Sequence, residues 1–403
     1  MLGSPTFRLE PPRLRLAEED TAERHATWFE LYFDLVFAAA FAELATGLAR
    51  DPSAAGFARY AGLFVLVQWA WAGFTYYANR FDTDDLIYRL AKAGAAAAVA
   101  VSAIEIPRVM AGAGGSAVFA GSYVVVRSLL VALYVRARAH VAGEARRFVD
   151  VLLTAFSVTT GMWLLSVFVP PPYRFVLWGA AFVLDIGVLP GAWSILKGPR
   201  TVVSHITERF GTFFIVVLGQ SVAAVVAAVA GFEFGVDSWV VAAACFVIAL
   251  CLWWIYFDLA DTSVVGRGRL GLVYLYGHIP LFPGVVAFGA GTKLAITHAG
   301  DAGLTTGTRW AFAGGIAAFA LSLAVIHLGA EWTSTRDRAF LGRLALVVLL
   351  CTLAALGGGI DAVLFVLVVA IAVIGQLLLE AFTFPTGAAS ILQPPEAPLE
   401  RLG

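Results

Sequence analysis

The chain has 403 residues, of which 60% are hydrophobic and only 14% charged, and its formal net charge is −1. An ordinary soluble domain is about 25% charged, so a water-soluble protein of this length is excluded for want of polar surface. The near-zero charge also speaks against a nucleic-acid partner, which needs a basic face; the expected partners are the lipid bilayer and a small solute or ion whose identity the composition leaves open.

A spanning helix needs roughly 20 predominantly apolar residues. Residues 1–26 are polar and lack the apolar core of a signal peptide, so they read as a cytoplasmic tail. Twelve apolar segments follow, at 27–49, 57–78, 86–106, 116–136, 148–169, 173–196, 205–230, 236–260, 270–291, 307–329, 339–358 and 360–383, with 384–403 as a second tail. The expected fold class is therefore an all-α polytopic membrane protein.

The first span carries three carboxylates, Glu30, Asp34 and Glu43. Each charge near a bilayer centre costs about 2.5–3.5 kcal/mol, so a helix that keeps them is expected to face protein or water. Glu30 and Asp34 are four residues apart and share a face, whereas Glu43 falls on another. Two readings stand: a proton- or cation-binding pair on a transport path, or a structural polar knot neutralised by Arg24, Arg127, His205 or Arg209.

Further along, Lys92 and Glu105 interrupt the third span and Asp185 the sixth. Arg127 sits mid-helix in the fourth and demands a carboxylate partner or an anionic ligand. In the seventh span His205, Glu208 and Thr212 fall on one face beside Arg209. Gln220, twelve residues past Glu208, is expected to be buried and so to need partners, as glue between helices or as a substrate contact. The ninth span holds Gly277, His278, Pro280, Pro283 and Gly284; such a run predicts a kinked or broken helix, which would expose backbone beside a cavity. His278 there is either a proton relay or a satisfied core histidine. His327 and Glu331 read as a solvated edge, and Gly357-Gly358-Gly359 predicts a tight hairpin between the last two spans.

Lys and Arg gather on one side of the expected membrane, with Arg8, Arg13, Arg15 and Arg24 before the first span and Arg136, Arg138, Arg146 and Arg147 after the fourth. The positive-inside rule then places both termini in the cytoplasm. The spans also read as two halves, 27–196 and 205–383. His25 to Glu43 can be laid on His205 to Ser221 with Glu30 over Glu208, and Phe64 to Trp71 matches Phe246 to Trp253. Six helices per half would make the two repeats parallel. The three cysteines, Cys245, Cys251 and Cys351, lie in apolar runs with no metal-binding spacing. No nucleotide, hydrolase or metalloprotease motif is present, and neither metal nor cofactor is expected.

The run Arg24-His25-Ala26-Thr27-Trp28-Phe29-Glu30-Leu31-Tyr32-Phe33-Asp34-Leu35-Val36-Phe37 resembles the N-terminal signature of the bacterial low temperature requirement A (LtrA) family. The segment His205 to Gly211, continuing to Leu218-Gly219-Gln220-Ser221, resembles that family's second signature, with a neutral Gln220 where Glu is usual. The resemblance extends from about residue 20 to 385 and implies a multi-pass protein of the bacterial inner membrane. Three functions remain in view: a secondary transporter or ion channel using Glu30, Asp34 and Glu208; a membrane enzyme or metal binder using clustered acids and histidines; and a non-catalytic stress-adaptation protein with structural acids.

Overall fold

The computed structural model describes residues 9–14, 27–82, 84–112, 114–195, 203–230, 235–258, 271–328 and 337–383. Apart from one two-residue ladder, its regular structure is helical. The helices are α1 (Trp28–Arg50), α2 (Ala54–Arg80), α3 (Leu86–Ala111), α4 (Ser116–Arg138), α5 (Gly143–Phe168), α6 (Tyr173–Ile195), α7 (Val203–Val229), α8 (Val236–Asp258), α9 (Gly271–Thr297), α10 (Thr306–Arg309), α11 (Gly315–His327), α12 (Arg338–Leu356) and α13 (Ala362–Thr383). A π-helical turn, Trp310–Gly314, joins α10 to α11 without interruption, so the described residues form twelve rods. Eleven of them are long and apolar enough to cross a membrane, α2 being the exception. This is a multi-pass helical membrane protein, and it exposes large apolar side chains such as Leu35, Ile371 and Phe382, as helices facing lipid do.

Local chemistry sets where the rods begin. Thr27 opens α1 with a reciprocal capping box: its Oγ1 accepts from the Glu30 amide at 3.2 Å, while Glu30 Oε2 accepts from the Thr27 amide at 2.9 Å. Ser53 caps α2, Asp85 caps α3, Thr305 caps α10 and Asp337 caps α12. Gly357–Gly359 forms a 3₁₀ turn between α12 and α13, the tight link that three glycines predict.

Two compact units divide the chain. One comprises Met1–Gln220 with Gly266–Leu272, the other Ser221–Val265 with Val273–Gly403; the division falls inside α7. In the first unit α3 packs on α1 and α4, α4 on α5 and α5 on α6. Part of the N-terminal segment is built into this unit, since β1 (Arg13–Leu14) pairs antiparallel with β2 (Phe81–Asp82) at the end of α2. In the second unit α13 packs on α8 and α12, and α11 on α12.

The ninth rod is not broken at its prolines. α9 runs unbroken through Pro280 and Pro283, and it is the most enclosed of the eleven apolar spans. Each proline removes one amide donor, yet the helix continues on both sides of it. The glycines explain that enclosure. A Cβ on Gly277 would stand 2.4 Å from Ile326, one on Gly284 2.7 Å from the Gly315 carbonyl, and one on Gly291 2.4 Å from the Phe312 amide. These three positions repeat every seven residues, so they form one seam where α9 touches the backbone of the π turn and α11.

Candidate functional site

The first turns of α1 deliver Glu30, Phe33 and Asp34 to the interior of the first unit, and both carboxylates are 1% exposed. α2 contributes Trp71 and Asn79, α3 contributes Lys92, and α7 contributes His205, Arg209 and Thr212. Lys92, His205 and Arg209 are buried as deeply as the acids. Phe33, Phe37 and Phe41 of α1, Phe64 and Phe74 of α2 and Phe213 of α7 pack ring on ring around them, so water is largely replaced by aromatic surface.

Asp34 is saturated. Arg209 donates to it from Nη1 to Oδ2 at 2.8 Å and from Nη2 to Oδ1 at 2.5 Å, a two-pronged grip that only a guanidinium makes. The Trp71 indole donates to Oδ1 at 2.8 Å, and the Thr212 hydroxyl stands 3.5 Å from Oδ2. Trp71 also stacks on Phe213 with centroids 3.8 Å apart, which fixes the indole.

Glu30 is held differently. One oxygen serves the capping box. Lys92 Nζ lies 3.9 Å from Oε1 and His205 Nε2 3.7 Å from Oε2. The other ring nitrogen of His205 lies 3.3 Å from the Asn79 amide. Two carboxylates thus face one guanidinium, one ammonium and one imidazole, and with His205 neutral the fixed charges cancel.

The remaining predicted residues lie elsewhere. Glu43 and Gln220 are half-buried, Gln220 less enclosed than the sequence suggests, and Glu208 is half-buried on α7. Arg24 lies outside the described residues. Arg127 forms its own cluster: it donates to Asp185 at 2.8 Å and to the Thr159 hydroxyl at 2.6 Å, and Thr159 donates to Asp185 at 2.9 Å. The Phe156 ring lies 4.8 Å from the Arg127 guanidinium carbon.

In the second unit His278 donates from Nδ1 to the Tyr274 carbonyl at 2.7 Å and accepts at Nε2 from the Tyr256 hydroxyl at 3.0 Å; that is the geometry of a neutral core histidine. His327 is 3% exposed, against the expectation of a solvated edge, because it packs on Phe340 with Nε2 3.8 Å from Asp337. Glu331 lies outside the described residues. Sequence reasoning missed Arg343, which grips Glu380 at 2.8 and 2.6 Å while Gln376 donates to the same carboxylate at 2.6 Å. A lone Arg in an apolar run of α12, facing a lone Glu in α13, was the available signal. Among the described residues no three His, Cys, Asp or Glu side chains gather as a metal site would require.

The family model described as bacterial low temperature requirement A protein (LtrA) matches residues 25–378. A protein of Rhizobium meliloti (strain 1021), named only as uncharacterized protein RA0937, is similar at 28% identity over 302 residues, 70% of this chain and 72% of that protein. No solved structure matches the chain.

Proposed function

We propose, from the premise that the chain belongs to the bacterial low temperature requirement A family, that it is a secondary transporter or ion channel of the bacterial inner membrane. Its two halves are read as parallel six-helix repeats with both termini in the cytoplasm. Asp34 and Arg209 form the fixed brace that ties α1 to α7, and Glu30 is the carboxylate that exchanges its ion. One observation carries this reading: two acids on one helix face are buried together with an arginine, a lysine and a histidine, Asp34 in the two-pronged grip of Arg209 and Glu30 beside Lys92 at 3.9 Å and His205 at 3.7 Å. A carboxylate that shares its pocket with a titratable imidazole and a flexible ammonium can change its counter-ion while the Asp34–Arg209 brace holds the bundle together.

The test is flux in reconstituted vesicles, read with a pH-sensitive dye under imposed potassium and proton gradients. Glu30→Gln should abolish coupled ion movement while the protein still inserts and keeps its helical content. Unaltered flux in that variant would remove the proposal.

The capping box favours a second reading, in which Glu30 is a structural acid of a non-catalytic membrane protein. Under it Glu30→Gln lowers the thermal midpoint of the purified protein, and the unsubstituted chain moves no ions in the same vesicles.

A further inference from the structure

The Lys92 ammonium sits in a box of aromatic faces, with Nζ 5.7 Å from the Phe29 ring centroid, 5.1 Å from Phe33 and 5.4 Å from Tyr88. Glu30 Oε1 closes one side at 3.9 Å. We infer that this box is a site for a small monovalent cation of the ammonium kind, which the chain's own lysine occupies in this structure and vacates when an external cation enters. The inference names the cation class for Glu30 and so rests on the transport reading above.

Three features support it. First, the chemistry matches: ring faces within about 6 Å together with one carboxylate are what attract ammonium cations. Second, the lysine has an alternative. Lys92 lies six residues past the first residue of α3, about 9 Å along the axis, within range of a side chain that commonly extends to the interface to keep its charge wet. Its side chain is nonetheless 2% exposed, with Nζ among the rings of the box, so the box competes successfully with water. Third, the walls do not depend on the lysine. Phe29, Glu30 and Phe33 come from the capped first turns of α1, and Tyr88 from the turn of α3 before Lys92. Of these four walls only Phe29 is half-buried; Glu30, Phe33 and Tyr88 are each 2% exposed or less. Phe29 therefore marks the side from which a cation enters.

Lys92→Ala shortens the tethered occupant and leaves room for a free alkylammonium. The full chain in detergent is followed by thermal unfolding with ethylammonium, ammonium or potassium chloride, against choline chloride at equal ionic strength and against ethanol. Ethylammonium or ammonium should raise the midpoint of Lys92→Ala saturably, by several degrees, act on the unsubstituted chain only at higher concentration because its lysine must first be displaced, and lose its effect when Glu30→Gln is added. Should Lys92→Ala fail to fold alone, the readout becomes the yield of monodisperse protein purified with and without ethylammonium, and recovery by the amine supports the site. A response to neither amine cation, an equal response in the unsubstituted chain, or one that survives Glu30→Gln overturns it. The flux assay keeps Lys92 in place, so a failed box with intact Glu30-dependent flux leaves the transport reading standing with the proton as its ion.

Discussion

Three of the buried carboxylates are each gripped by an arginine: Asp34 by Arg209, Asp185 by Arg127 and Glu380 by Arg343. Removing one partner of such a pair strands a desolvated charge and costs about 3–5 kcal/mol, whereas replacing both with apolar groups of similar volume is close to neutral. Arg209→Met should therefore destabilise the purified protein by about that much, and Arg209→Met with Asp34→Leu should restore most of it; a double-mutant cycle in thermal or denaturant unfolding measures the coupling. How legible this was differs by residue. That Glu30 and Asp34 face protein follows from their cost in lipid. That Arg209, 175 positions on, rather than Arg24 or Arg127, closes on Asp34 does not, because pairing across such separations is decided by how helices pack. Lys92 was visible as an interruption of an alanine-rich span, but its aromatic surroundings come from α1 and from one turn back on its own helix, and no local pattern joins the two.

Elements are fixed at their seams and corners. The glycine seam of α9 leaves no room for a side chain, and a valine at position 284 would drive carbon into the Gly315 carbonyl and Ala318. Overpacking of this kind costs about 1–3 kcal/mol, so Gly284→Val should lower the thermal midpoint, while the same change at Gly375, where a Cβ meets nothing within 4 Å, should leave it nearly unmoved. The π turn Trp310–Gly314 lies opposite this seam, where the Phe312 amide approaches Gly291, and neither the turn nor the seam showed in a hydropathy pattern that sees only apolar residues.

A polar corner stands where α3 begins. Burial opposes the charge of Asp85, but two hydrogen bonds from Arg136, at 2.9 and 2.7 Å, with others from the Tyr88 and Glu10 amides, hold its carboxyl below the usual range. Arg136 also bonds the Glu10 carbonyl, which draws the N-terminal strand into the corner. Because the folded pKa is depressed, the stabilisation is complete above the unfolded value of about 3.9 and drains away as pH falls through the lower folded value. Unfolding midpoints taken from pH 7 downward should fall in that acid range, and Asp85→Asn should flatten the fall while starting from a lower midpoint.

At the scale of the molecule the sidedness of the ends turns on α2, the one long helix that fails the hydropathy criterion. If α2 did not cross, the eleven remaining rods would put the termini on opposite sides. Its sequence explains the failure: Gln68, Trp69, Trp71, Thr75, Tyr76, Tyr77 and Asn79 dilute its apolar content. Yet hydropathy measures fitness for lipid, and α2 scarcely needs it. From Leu63 to Asn79 nearly every side chain is buried, Trp71 and Asn79 within the charged cluster and Tyr77 with its hydroxyl on the Leu133 carbonyl of α4. With 27 residues it is about 40 Å long, more than the roughly 30 Å of a hydrocarbon core. A helix shielded by its neighbours can cross while carrying the polar groups that a site requires. Single cysteines at Ser53 and Asp84, the two ends of α2, should therefore label from opposite faces of intact cells, with Ser53 reached by an impermeant maleimide from outside and Asp84 only after permeabilisation. Labelling of both from one face would turn α2 into a re-entrant helix, and with it the side of the membrane on which everything after Arg80 begins.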